Sequence, residues 1–264
     1  SMTIGLSGIT AAGASGNEDV HLNGSAITTV TVNATGSTTM DALDLDAATS
    51  VTLNAGAAFT TTGSIETTGS SGTLTITGAG DVDVSALDTG FTTVSASNLT
   101  GGLTAEIGTH DALVLTGGSG ADTITASTTD ALATTDALAI NAGDGNDLLI
   151  VGDAADINTA ADGARYTNFE TIRISDDLDF DLVSGITAVQ VTGASSKSYT
   201  DMTATQAANV QVRGDETSGT FALKTATGSS DVLSLTMGTG LTTSAASDLV
   251  TGVTVTGFET VNIA

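Results

Sequence analysis

The chain is 264 residues long and carries 5 Lys plus Arg against 30 Asp plus Glu, a net charge of −25. A polyanion of that density is a poor partner for nucleic acid or an anionic membrane surface, and the absence of cysteine removes disulfides, thiolate metal sites and thiol redox chemistry. The length permits a sizeable core, yet aromatics are 3% of residues, with no Trp and no Pro, which points to stacked small aliphatics rather than an aromatic-filled globule.

The N-terminus, "SMTIGLSG", lacks a basic n-region and an apolar h-region, so no secretory signal peptide is read there. Ser1-Met2 reads as a cloning scar, and the chain stops on a strand-like "FETVNIA", as a fragment of a longer protein would. No run is long enough to span a bilayer. Short segments rich in Val, Ile and Thr then follow one another: "TTVTVN" near Val30, "SVTLN" near Thr52, "TLTIT" near Thr75, "TTVSAS" near Val94 and "ALVLT" near Val114. Further along come "LLIV" at Leu148, "ETIRI" at Glu170, "AVQVT" at Ala188, "VQVRG" at Val210, "VLSLT" at Val232 and "VTVTG" at Val253. Their alternation and β-branched content predict strands, with Gly, Asn, Ser and Asp as punctuation. Their centres recur at roughly 18–25 residues, the interval of one solenoid coil. The expected fold is therefore all-β, a right-handed parallel β-solenoid or β-roll-like stack. The alternative is a set of β-sandwich modules, whose turn signals come more often. Only "TATQAANV" from Thr203 and "TSAASDLV" from Thr243 suggest a helical turn or two.

Two octapeptides nearly repeat: "TNFETIRI" (Thr167 to Ile174) and "TGFETVNI" (Thr256 to Ile263). Phe169 and Phe258 are expected in the core, with Glu170 and Glu259 pointing outward or meeting a turn. Three segments are drawn: a Thr/Val-rich solenoid segment, 1–110; a unit rich in Gly/Asp turns, 111–175; and a second related β unit, 176–264.

The densest chemistry lies in "GGSGADTIT", residues 117–125. A hard cation such as calcium takes six to eight oxygens from carboxylates and carbonyls. A turn can aim several carbonyls at one point when glycine removes the Cβ and allows positive φ. Gly117, Gly118 and Gly120 meet that need, Asp122 adds charge and Ile124 anchors the next strand. "AGDGNDLLI", 142–150, repeats the pattern with Ala142 in the first position, keeping Gly143, Gly145, Asp147 and Leu149. "ATGSSDVLS", 226–234, keeps Asp231 and Leu233 but lacks the glycines. These nonapeptides resemble those of the RTX (repeat-in-toxin) calcium-binding proteins, G-G-x-G-x-D-x-U-x. The resemblance implies an ion between the two turns, held by Asp122 and Asp147, with Asp144 as an addition. Carbonyls of Gly117, Ser119 and Gly120, and of Ala142, Asp144 and Gly145, would complete the shell, with Gly118 and Gly143 shaping the turns. Other acids sit on predicted strands: Asp41, Asp44 and Asp46; Asp81, Asp83 and Asp88; and Asp177, Asp179 and Asp181, the last three on one face of a strand. Stacked coils would bring such rows together, and carboxylates that close favour a shared cation.

For catalysis the residues offer little. His21 and His110 do not make a three-histidine zinc site, and His110, beside Asp111, is expected at the surface. Thr-rich strands raise an ice-binding alternative, but the threonines look irregular in coil register. Composition and motifs together resemble RTX-type bacterial surface-layer proteins. That implies a secreted, calcium-stabilised structural module on the bacterial cell surface, exported by type I secretion and assembling with copies of itself. A calcium-rigidified segment of a large RTX adhesin is the second reading, and a polysaccharide-active β-helix enzyme the third.

Overall fold

The computed structural model describes residues 1–10, 19–22, 24–110, 112–126, 137–193, 195–214, 217–238 and 252–264. The chain is a parallel β-solenoid, with 48% of the described residues in strands and 6% in helices. Two compact units divide it. One comprises Ser1–Thr125 with Ala133–Asp147, the other Ala126–Leu132 with Leu148–Ala264. The division falls inside the 111–175 segment drawn from the sequence.

In the first unit, seven strands stack in one sheet: Met2–Leu6, Thr29–Ala34, Ser50–Ala55, Gly72–Gly78, Phe91–Leu99, Val114–Thr116 and Ala139–Asn141. A second sheet takes the partner strand of each coil: Val20–His21, Leu43–Asp44, Ser64–Glu66, Val82–Leu87, Leu103–Glu106 and Thr123–Thr125. Every pairing described is parallel, and residues of like character stand in register. Val30, Val51, Leu74, Val94, Leu115 and Ile140 form one inward column. All six are at most 1% exposed. Full burial of such a side chain contributes about 1.5–3 kcal/mol, so a column of aliphatics replaces the aromatic core that the composition excluded. Sandwich modules would need antiparallel sheets, and the parallel ladders overturn that alternative.

The second unit repeats the scheme. Its longer sheet runs Leu148–Val151, Thr171–Ile174, Ala188–Val191, Val210–Val212, Val232–Met237 and Thr260–Ile263. Leu149, Ile172, Val189, Val210 and Leu235 make its inward column. A four-stranded sheet of Leu178–Asp179, Lys197–Met202, Gly219–Leu223 and Val253–Thr256 lies beside it in the same unit. There Tyr199 stacks on Phe221, ring centroids 5.2 Å apart.

Local chemistry explains the exceptions to strand. Thr203 begins the helix Ala204–Ala207 with a capping box that Gln206 closes, as its sequence suggested; "TSAASDLV" lies outside the described residues. The helix Ala160–Gly163, not foreseen, has the same device in Thr159 and Asp162. The expected strand over Asp177–Leu182 is a correction. Only Leu178–Asp179 is strand, because the Asp179 side chain accepts the Asp181 N–H and turns the chain into a 3-10 helix, Phe180–Leu182. Phe169 is 1% exposed. Phe258 is only half-buried, because no coil among the described residues covers the exposed strand Thr260–Ile263 beside it.

The apparent irregularity of the threonines is also corrected. Coils differ in length: 21 residues separate Asn33 from Asn54, 23 separate Asn54 from Thr77, and 25 separate Asp122 from Asp147. Turns absorb these differences. Thr3, Thr31, Thr52, Thr75, Ser95 and Thr116 consequently stand opposite one another in consecutive strands.

Candidate metal centre

Both Gly/Asp turns lie in the first unit, one coil apart. Gly117 N–H donates to the Asn141 carbonyl at 2.8 Å, and Asp144 N–H to the Gly118 carbonyl at 2.9 Å, so the second turn is seated on the first. Ser119 N–H reaches one coil the other way, to the Leu99 carbonyl at 3.0 Å.

The glycines are required by this close stacking. A Cβ on Gly120 would stand 2.3 Å from the Gly101 carbonyl oxygen, and one on Gly145 would stand 2.3 Å from that of Gly120. Gly101 meets Gly80 in the same way, at 2.4 Å. A column of glycines therefore lets successive corners nest. At Gly117 a Cβ would fall 1.9 Å from the Ala142 carbonyl oxygen and 2.3 Å from Asp122 Oδ2. Ala142 itself is buried with its methyl group accommodated, which is why the motif tolerates the exchange there.

Asp122 and Asp147 are each 1% exposed. Asp122 Oδ1 accepts the Leu103 N–H at 2.7 Å and Oδ2 the Gly118 N–H at 2.9 Å. Asp147 Oδ1 accepts the Asp122 N–H at 2.7 Å. Each carboxylate thus ties its own turn to the preceding coil. Burial holds the Asp122 carboxyl above its ordinary 3.8, against the opposite pull of the Leu103 and Gly118 N–H donors. Ser119, Asp144 and Gly145 are exposed.

The donor set fits a hard cation in kind. Where a Cβ would fill the turn at Gly117, two oxygens converge, from Ala142 and Asp122; at Gly145 the oxygens of Gly120 and Asp147 do. These are carbonyls and carboxylates only, the ligands calcium takes. Among the described residues no group of three or more His, Cys, Asp or Glu side chains could hold a metal ion. Any ion here therefore rests on two buried carboxylates and on backbone carbonyls.

The other acids go to coil-to-coil hydrogen bonds. Asp81 Oδ1 accepts the Gly102 N–H at 2.9 Å, Asp41 Oδ1 the Thr62 hydroxyl at 2.9 Å, and Asp88 Oδ1 the N–H groups of Thr67 and Gly90. Asp83 caps its own bend at Ser85. Asp81 and Asp83 also line a shallow pocket of about 370 Å³ with Thr60, Gly102 and Thr104. Asp44 stands opposite Glu66 and binds His21 Nδ1 at 2.9 Å. In the second unit, Asp177 accepts the Ser198 N–H, and Lys197 and Lys224 pair with Asp176 and Asp181. Asp231, kept by the third motif, donates its N–H to Glu259 Oε2 at 2.8 Å, and its carbonyl accepts the Glu259 N–H. Glu259 thus meets a turn.

His110 corrects its surface expectation. It is 3% exposed, with Nδ1 on the Ile107 carbonyl and Nε2 3.1 Å from the Asp88 carbonyl. Asp111 lies outside the described residues. No sequence signal separated this bridging histidine from an exposed one. Comparison with known proteins finds no matching family model, curated protein or solved structure.

Proposed function

We propose that this chain is a structural module of a secreted, calcium-stabilised bacterial surface layer. The observation that carries the reading is the stacked pair of Gly/Asp turns, whose buried carboxylates and carbonyls converge one coil apart. Calcium supplies positive charge and oxygen-only coordination at such a site. Asp122 and Asp147 would hold it, with carbonyls of Gly117, Ser119 and Gly120 and of Ala142, Asp144 and Gly145.

The chain's own residues do the rest. Parallel ladders and aliphatic columns give a stiff module, and the −25 charge opposes compaction until cations relieve it. In calcium-poor cytosol the chain would stay loosely folded and exportable, and outside the cell it would lock. Among the described residues no helix is long and apolar enough to cross a membrane. The repeated stacking also supports the second reading, a stiff extender of a large adhesin.

Self-assembly separates the two. Electron microscopy of the full-length protein with calcium and with chelator is the test. Two-dimensional arrays that appear only with calcium are expected for the surface layer. Monomers under both conditions would discard it in favour of the extender.

A further inference from the structure

In the first unit, the outward face of the first sheet differs in charge from that of its partner sheet. Although 13% of residues are charged, none of the seven strands of that sheet in the first unit carries a charged side chain. The partner sheet carries Asp44, Glu66, Asp83 and Glu106 on its strands. From Thr29 to Thr116 what the first sheet presents is mostly small and polar, in register, the exception being Val114, 49% exposed beside Thr93. One column is Thr29, Ser50, Thr73 and Thr93; the next is Thr31, Thr52, Thr75, Ser95 and Thr116; the third is Asn33, Asn54, Thr77 and Asn98.

Strand geometry fixes the grid. Hydroxyls repeat at about 4.8 Å from coil to coil and about 6.6 Å along the strands, with the spacing broken in Phe91–Leu99 by a register shift between Ser95 and Asn98. The third column is locked by its own bonds, Asn54 Nδ2 to Asn33 Oδ1 at 2.6 Å and Thr77 Oγ1 to Asn54 Oδ1 at 2.8 Å. Side-chain ladders of that kind hold sheets flat. Among the described residues, no hydrogen bond from the Thr31, Thr52 or Thr75 hydroxyl to the protein is seen. Each threonine adds a methyl group, and its β-branch stiffens χ1, so the array is ordered before anything binds.

The chemistry of the face selects its occupant. Lacking charge, it does not attract ions or polyelectrolytes. Its grid contains no Trp, Tyr or Arg, the side chains that anchor protein partners, and no aromatic platform for a sugar ring. Docking a second copy would desolvate opposed rows of hydroxyls. A periodic, uncharged, hydrogen-bonding surface of matching repeat is the partner that uses every element of the grid, and the prism face of ordinary ice has repeats of this order. We propose that the Thr/Ser/Asn face of the first sheet adsorbs to ice, by holding rows of water in positions that continue the crystal. This activity does not rest on the surface-layer reading.

The test is incorporation of fluorescently labelled protein into a growing ice hemisphere, together with crystal shape and thermal hysteresis, in calcium-containing buffer. The wild-type chain is expected to enter the ice and to shape crystals. Thr52→Tyr with Thr75→Tyr, outward positions where β propensity is kept, should lose both effects with an unchanged circular dichroism spectrum. Thr104→Tyr, on the other sheet, should lose neither. Exclusion of the folded wild-type chain from ice would overturn the proposal, as would full activity in the double variant. Retention on crystalline cellulose or chitin, or dimerisation, without ice incorporation would reassign the face and equally overturn it.

Discussion

Glycine and aspartate at the corners divide one task between them. Glycine lets neighbouring coils approach to backbone contact, and aspartate satisfies the N–H groups that the corner leaves without a ladder partner. Gly120→Ala places a methyl group against the Gly101 carbonyl, an overpacking expected to cost about 3 kcal/mol, seen as a lower denaturation midpoint. Asp122 makes a second prediction, through pH. Its folded carboxyl lies above the ordinary 3.8, so between 3.8 and that raised value the native state holds a proton that the unfolded chain has released. The stability this group contributes is full below 3.8 and is lost as pH rises through the raised value. Asp122→Asn keeps a neutral side chain at every pH. In chelator, the difference in stability between wild type and variant should therefore shift against the wild type as pH rises from acid to neutral. A difference independent of pH would show that Asp122 is not strained by burial.

At the scale of elements, the parallel strands follow from short Val/Ile/Thr alternations that cannot bury their apolar face alone. Leu53→Ala, in the fully buried column facing Val32 and Ile76 neighbours, should cost about 2–5 kcal/mol, while Thr52→Ala on the outward face of the same strand should change stability by less than about 1 kcal/mol. Chemical denaturation of the two variants checks the contrast. The eleven strand centres from Val30 to Val253 and the helix at Thr203 were legible because alternation and capping are local signals. Register was not. Coil length varies between neighbours, and the turns that absorb the variation leave no periodic mark, so the threonine columns and the burial of His110 emerge only from stacking. The Asp177–Asp181 alternation misled for a related reason, since an Asp side chain competing for a backbone N–H diverts a strand into a turn. At the site, the motif placed Asp122 and Asp147 on adjacent coils, but the Leu103 N–H that Asp122 accepts is remote in sequence and carries no motif.

For the whole molecule, charge is the dominant fact. A net −25 makes the fold sensitive to anything that screens or binds carboxylates. In chelator, monovalent salt should raise the denaturation midpoint. Calcium should do so at far lower concentration, and by a route that salt cannot replace. With two buried carboxylates and no third acidic group beside them among the described residues, the calcium affinity expected of the proposed site is weak, with a dissociation constant of about 10⁻⁴–10⁻³ M. The most direct measurement is a calcium titration of chelator-treated protein, following far-ultraviolet circular dichroism and bound metal together, for the wild type and Asp122→Ala. A gain of β signal that saturates with bound calcium, and is weakened in the variant, is the predicted result. A chain fully folded in chelator that binds no calcium, or a variant that binds it as tightly as the wild type, would contradict the account and leave the Gly/Asp turns as hydrogen-bonded corners alone.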